Sequence, residues 1–260
     1  MNVCEVDMSL PIQLHVQHRG LETGIPVVFL NSLGTDLNMW NQQVEQLSSR
    51  FRIIQMDTRG HGQSSVTSGP YTIDLLCSDV INTLDALGVS KAYFCGISMG
   101  GMMALKLAID YPERVEKVVA ANTAALIGQK AAWLERAGLV RTKGMSPVVS
   151  GAAGRWFTNQ FVSEQTDRVN MLLAQLSNTA PEGYASCCEA LSSADIREEL
   201  AGILAPVCII AGEFDPVTTV ADGQFLVQKV SGSCLEILPS SHLSNVESPQ
   251  QFSEIISRFF

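Results

Sequence analysis

The sequence predicts an α/β protein with a mostly parallel, eight-stranded sheet flanked by helices and a helical cap inserted into it. Three observations predict this. Short apolar runs alternate with helical stretches through the first 121 residues, as strands sandwiched between helix layers should. From about 124 to 200 the alternation stops, and helical stretches follow one another with no convincing buried strand. Strand–helix order then resumes at residue 206 and continues to the C-terminus.

Taken in order, two alternating stretches at 3–7 and 11–18 read as an antiparallel hairpin. Pro26-Val27-Val28-Phe29-Leu30 is apolar on both faces, which a buried sheet strand requires. Asp36 is placed to cap a helix over 37–48. A strand at 52–56 leads into the glycine-rich turn Thr58-Arg59-Gly60-His61-Gly62, then a helix over 72–87. A strand at 92–96, a helix reaching 110 and a strand at 115–121 complete the first block. Helices at 129–142, 146–157, 163–177 and 181–193 form the cap, separated by Gly144, Ser146-Pro147 and Pro181-Glu182-Gly183. The last block is a strand at 206–211, a helix from 217, a strand at 234–238 and a closing helix over 247–260. The expected division is a core of 1–124 with 200–260, and a cap of 125–199.

The chain has 260 residues, enough for one large α/β domain with an insertion. A formal charge of −9 argues against nucleic acid or an anionic membrane as the main partner. No apolar run reaches the length of a membrane span, and the N-terminus lacks the pattern of a signal peptide. Seven cysteines, odd in number and irregularly spaced, fit reduced thiols in a cytoplasm. With no C-x-x-C and four histidines, a metal site is unsupported and no cofactor is expected. A monomer or weak homo-oligomer is expected.

The chemistry concentrates at Gly96-Ile97-Ser98-Met99-Gly100, between an apolar strand and a helix. G-x-S-x-G in that setting is the nucleophile elbow of α/β-hydrolases: a turn too tight for neighbouring side chains lifts the serine above the sheet. The serine then sits at a helix N-terminus, where a developing anion is favoured. A serine hydroxyl needs a positioned base. His242 is the only histidine after Ser98, and it lies just past the last strand. The acid should leave a strand at the same sheet edge, as Asp215 does; Glu213 and Asp222 are weaker candidates. After the preceding strand, Ala120-Ala121-Asn122-Thr123 offers no carboxylate. The backbone N–H groups of Met99 and Leu33 are the expected oxyanion donors, with Asn31 and Ser32 shaping the loop around Leu33. Arg59 and His61 are expected to be structural.

Nearly the whole chain resembles a 3-oxoadipate enol-lactonase of the α/β-hydrolase superfamily. The resemblance rests on NSLGTDLNMW (31–40), DTRGHGQS (57–64), GPYTIDLL (69–76), CGISMGGM (95–102), NTAALIG (122–128), EGYASCCEALSSADIR (182–197) and SHLSNVES (241–248). DTRGHG and the elbow are widespread; the NSLGTD loop and the EGYASCCEAL stretch are the more characteristic. The resemblance implies hydrolysis of 3-oxoadipate enol-lactone to 3-oxoadipate in aromatic catabolism. A broader carboxylesterase and a slowly turning ligand receptor remain as alternatives.

The implied substrate carries a free carboxylate, so an acidic protein must supply a local positive region. Lys130, Arg136, Arg141, Lys143 and Arg155 face only Glu135 in 130–155, a local +4 that leaves −13 for the remainder. Arg136 lies one helical turn after Trp133 on the same face and is the first candidate for the carboxylate. The resemblance points to a tryptophan–arginine pairing of this kind near the substrate. Arg155 beside Trp156 is the second.

Overall fold

In the computed structural model, which describes residues 12 and 14–260, seven strands form one sheet. They are β1 (Val16–Gly20), β2 (Pro26–Leu30), β3 (Arg52–Met56), β4 (Ala92–Ile97), β5 (Val115–Ala121), β6 (Val207–Gly212) and β7 (Cys234–Leu238). Their order is β1-β3-β2-β4-β5-β6-β7; β1 runs antiparallel to β3, and every other pairing is parallel. The expected strand at 3–7 lies outside the described residues. The expected strand at 11–18 starts later, at Val16, because the N–H groups of Leu14 and His15 donate to the side chains of Thr83 and Ser64. The described sheet therefore has seven strands where the sequence suggested eight.

Helices cover both faces. A 3₁₀ turn at Leu37–Trp40 runs into α1 (Asn41–Leu47), and Asp36 caps the turn by accepting from the Asn38 N–H. Helices α2 (Ile73–Ala86) and α3 (Met99–Asp110) follow β3 and β4. Between β5 and β6 come α4 (Lys130–Lys143), α5 (Ser146–Val149), α6 (Ala152–Trp156), α7 (Asn159–Glu164), α8 (Thr166–Asn178) and α9 (Pro181–Ser193). The chain closes with α10 (Val220–Lys229), α11 (Ser244–Glu247) and α12 (Pro249–Phe259).

Three helical stretches depart from the expected bounds, each for a local reason. The stretch 146–157 breaks at Ser150-Gly151, where glycine weakens the helix. The stretch 163–177 is preceded by a separate turn, α7, that begins where Thr158 accepts from the Phe161 N–H. The closing helix, expected over 247–260, starts at Pro249 behind a separate turn, α11, because Pro249 disfavours helical geometry at Ser248 and itself suits a helix start. Helix α10 begins at Val220 behind a Thr219–Asp222 capping box.

All six residues of β4 are buried, as the middle strand of a covered parallel sheet requires. Trp40 stacks on Phe29 at 4.6 Å between ring centroids and packs against Phe252 of α12, joining β2, the 3₁₀ turn and the last helix. Because β4, β6 and β7 are parallel, their C-terminal ends deliver Ser98, Asp215 and His242 to one edge. Among the described residues, no helix is long and apolar enough to cross a membrane.

Candidate active site

Ser98 occupies the turn between β4 and α3 with φ 57° and ψ −118°, a conformation that a non-glycine residue adopts only when its surroundings enforce it. The enforcement is visible on both sides. Its N–H donates to Ala121 O at 2.9 Å, and its carbonyl accepts from Met102 N at 2.9 Å and Thr123 Oγ1 at 2.7 Å. A Cβ on Gly96 would lie 2.1 Å from Gly100 O, and one on Gly100 would lie 2.2 Å from Leu30 O. Both glycines are therefore required by backbone crowding.

His242 Nδ1 lies 2.8 Å from Asp215 Oδ2, and both residues are buried. That carboxylate is heavily coordinated. Oδ1 accepts from the N–H groups of Val217 (2.8 Å) and Thr218 (3.1 Å); Oδ2 also accepts from Asn122 Nδ2 (3.0 Å) and Thr218 Oγ1 (2.9 Å). Burial alone would raise the Asp215 pKa, but the hydrogen bond and charge of His242, with the bonds from Asn122 and Val217, hold it below its ordinary value. An ionised Asp215 accepts a hydrogen bond from the Nδ1–H of His242 and leaves Nε2 as the acceptor. Glu213 is exposed, and Asp222 is engaged in the α10 capping box, so neither meets the histidine.

Asn122 is the residue that sequence reasoning passed over. It stands at the end of β5 with φ 43°, a left-handed conformation that asparagine tolerates well. Its Nδ2 donates to both Asp215 Oδ2 and Ser241 O at 3.0 Å, and its Oδ1 accepts from Ser244 Oγ. Asparagine in a strand-end turn was the signal available; the search for a carboxylate there obscured it.

The loop after β2 is fixed from several directions. Asn31 Nδ2 donates to Met56 O and Asn31 Oδ1 accepts from Trp40 Nε1, each at 2.9 Å. His61 Nε2 accepts from the Gly34 N–H at 3.1 Å. Burial lowers the His61 pKa, and an accepting Nε2 places its proton on Nδ1, towards Arg59 O. Arg59 is itself buried against Asp79 in a two-pronged pair of 2.6 and 2.5 Å. These contacts are structural and leave the Leu33 N–H without a protein acceptor among the described residues. Met99 opens α3, where a first-turn N–H has no intrahelical partner.

Ser98, His242 and Leu33 line a cavity of about 260 Å³. Its other wall comes from α4, α6 and α9 through Trp133, Arg136, Arg155, Trp156 and Tyr184. The Arg136 guanidinium lies 4.7 Å from the Trp133 ring centroid. Arg155 donates to Val148 O at 2.9 Å; burial first, and then the charge of Arg136, lowers its pKa. Neither arginine forms an ion pair among the described residues. The wider positive stretch does not act as one unit: Arg141 is paired with Glu182 and Glu189, and Lys130 and Lys143 are exposed outside the cavity. Two arginines without carboxylate partners among the described residues, lining one cavity with Ser98 and His242, suit nucleophilic attack on an anionic substrate.

The alpha/beta hydrolase fold family matches residues 25–143. The chain is 52% identical to 3-oxoadipate enol-lactonase 2 of Acinetobacter baylyi, over 88% of this chain and 86% of that protein. It is 44% identical to 3-oxoadipate enol-lactonase 1 of the same organism, over 95% and 92%. The crystal structure of the enol-lactonase from Burkholderia xenovorans LB400 superposes with a TM-score of 0.93 at 40% identity, covering 95% of each chain. A hydrolase from Pseudomonas aeruginosa PA01 gives 0.92 at 38% identity, covering 95% and 93%. With this fold and this extent of identity, the chain belongs to the 3-oxoadipate enol-lactonase family of α/β-hydrolases.

Proposed function

We propose that this protein opens the lactone ring of 3-oxoadipate enol-lactone to give 3-oxoadipate through a serine acyl-enzyme. The observation that carries the reading is the Asp215–His242 pair, whose histidine lines one cavity with Ser98 and with two arginines that lack carboxylate partners among the described residues. Relatives named for this reaction support the choice of substrate. Ser98 Oγ attacks the lactone carbonyl carbon while His242 Nε2 takes its proton. Asp215 orients the imidazole and stabilises its charged form without itself being protonated. The tetrahedral oxyanion accepts from the Leu33 and Met99 N–H groups. The ring C–O bond then breaks, expelling an enolate-like oxygen to which His242 returns the proton. The enol, still tethered as a serine ester, tautomerises to the ketone. A water deprotonated by His242 cleaves the ester, and one water is consumed overall.

In the same reading, residues 1–124 and 200–260 are the catalytic core and 125–199 the cap that presents Arg136 and Arg155 to the substrate carboxylate. The experiment follows loss of the enol-lactone chromophore with wild type and Ser98→Ala. Wild type should turn over rapidly, and the variant should be roughly 10⁴–10⁶-fold slower. Equal rates would remove Ser98 from its role; an inert wild type that still cleaves simple esters would remove the substrate.

A further inference from the structure

Outside the triad, one carboxylate joins the cap to the loop that carries His242. Glu247 closes α11, five residues after the histidine. Its Oε2 accepts the Ser241 N–H at 2.8 Å, immediately before His242. The same carboxylate accepts the Thr158 N–H, at 3.2 Å on Oε1 and 3.4 Å on Oε2, and the Thr158 hydroxyl on Oε1. Thr158 belongs to the insertion and starts α7. Two further bonds tie the same segments: Leu243 N donates to Trp156 O at 3.0 Å, and Ser241 Oγ to Arg155 O at 3.4 Å. The residues flanking His242 are thus bonded to the stretch 155–158, whose Arg155 and Trp156 line the cavity.

We infer that Glu247 is a positioning residue that fixes His242 relative to the cap, so that the wall receiving the substrate and the base that acts on it move as one piece. The inference rests on the reading of His242 as the general base. A carboxylate suits the task, because it offers two acceptor oxygens to three donors from two segments, and hydrogen bonds to an ionised acceptor are the strong ones. An amide would present one acceptor and turn N–H groups towards N–H groups. The bonds reach the backbone beside the histidine rather than the arginine side chains, so their loss displaces the imidazole relative to the cavity wall. Misplacement of a reacting group by about 1 Å costs on the order of 10²-fold in rate.

The test compares Glu247→Gln, Thr158→Val, Thr158→Ser and His242→Ala with wild type, on the enol-lactone and on p-nitrophenyl acetate. Glu247→Gln should lower kcat about 10-fold or more on both substrates, with a smaller change in KM because no arginine side chain is replaced. Thr158→Val should lose part of kcat in the same way, and Thr158→Ser, which keeps the hydroxyl, should restore it. The downfield Nδ1 proton resonance of His242 should broaden in Glu247→Gln as the ring loses its fixed position. Wild-type kcat in Glu247→Gln, or a rise in KM with kcat unchanged, overturns the inference. If Glu247→Gln fails to fold, equal kcat in Thr158→Val and Thr158→Ser overturns it instead. Full activity in His242→Ala would overturn the underlying reading of the base; an inactive His242→Ala beside an unaffected Glu247→Gln would overturn only the positioning role of Glu247.

Discussion

A pair of like charges held close together without counter-ions is unfavourable until an anion arrives. Among the described residues, Arg136 and Arg155 are such a pair: both line the cavity, and the charge of Arg136 adds to burial in lowering the Arg155 pKa. In the proposed function a substrate carboxylate would relieve that repulsion, and the arginines would contribute to binding in proportion to the charge they receive. Arg136→Ala should therefore raise KM for the anionic lactone roughly 10- to 100-fold, the loss of one charged hydrogen bond. It should leave p-nitrophenyl acetate within about twofold; uniform loss on both substrates would instead indicate a collapsed cap. At this scale the sequence was legible where a residue's type and its place at a strand end sufficed, as for Ser98, Asp215 and His242. It was silent where a role depends on bonds to distant backbone. Asn122 acts through Asp215 and Ser241, 93 and 119 positions away, and Glu247 acts through Thr158, 89 positions away. No local pattern marks such pairs.

Between elements, charge acts as a clamp. Arg141 of α4 forks onto Glu182 and Glu189 of α9 at 2.5–3.0 Å, and Glu182 also accepts from Ser186 Oγ and from Gly69 N in the core. Hydrogen bonding to Arg141 is the largest influence on Glu182 and, despite burial, draws its pKa from 4.5 down to about 2. A carboxylate depressed on folding stabilises the native state fully above its unfolded pKa and loses that contribution as pH falls through its folded value. The clamp should thus be complete at neutral pH and weaken from about pH 4.5 towards 2. Both partners are partly exposed, so solvent screening limits its worth to about 1 kcal/mol, a few degrees of Tm at this size. Arg141→Ala should lower Tm by about 2–4 °C at neutral pH, and that gap should shrink on acidification below 4.5; a gap independent of pH would show that the clamp works through packing alone. Nearby, a Cβ on Gly183 would stand 2.2 Å from Gly60 O, so α9 rests directly on the backbone of the glycine-rich turn. The resemblance marked EGYASCC as characteristic; the contact with Gly60 gives a physical reason for its glycine. Helix interruptions were less legible, because Gly151 breaks a stretch whose periodicity reads as continuous helix, and Thr158 caps a short turn in the gap between two expected helices.

Over the whole molecule, the local and global charges oppose each other, and distance decides which one an approaching substrate feels. The chain carries −9, yet its cavity presents two arginines without carboxylate partners among the described residues. Treated as a point charge about 20 Å away in water, the net charge repels a monovalent anion by about 2 kcal/mol before screening. A Debye length of about 30 Å at 0.01 M salt leaves about half of that, whereas about 8 Å at 0.15 M leaves less than a tenth. In the proposed function the arginines would act on the carboxylate at short range within the cavity, where screening is far weaker. Between 10 and 150 mM salt, KM for the anionic lactone should therefore fall about three- to fivefold as the long-range repulsion disappears. Near 1 M, where the Debye length is about 3 Å, the arginine attraction also weakens and KM should rise again. The neutral ester should show neither limb, and Arg136→Ala should keep the first while losing much of the second. A KM that climbs steadily from the lowest salt would mean that the two arginines already outweigh the whole acidic surface at long range, and that the anion is steered towards this site against its net charge.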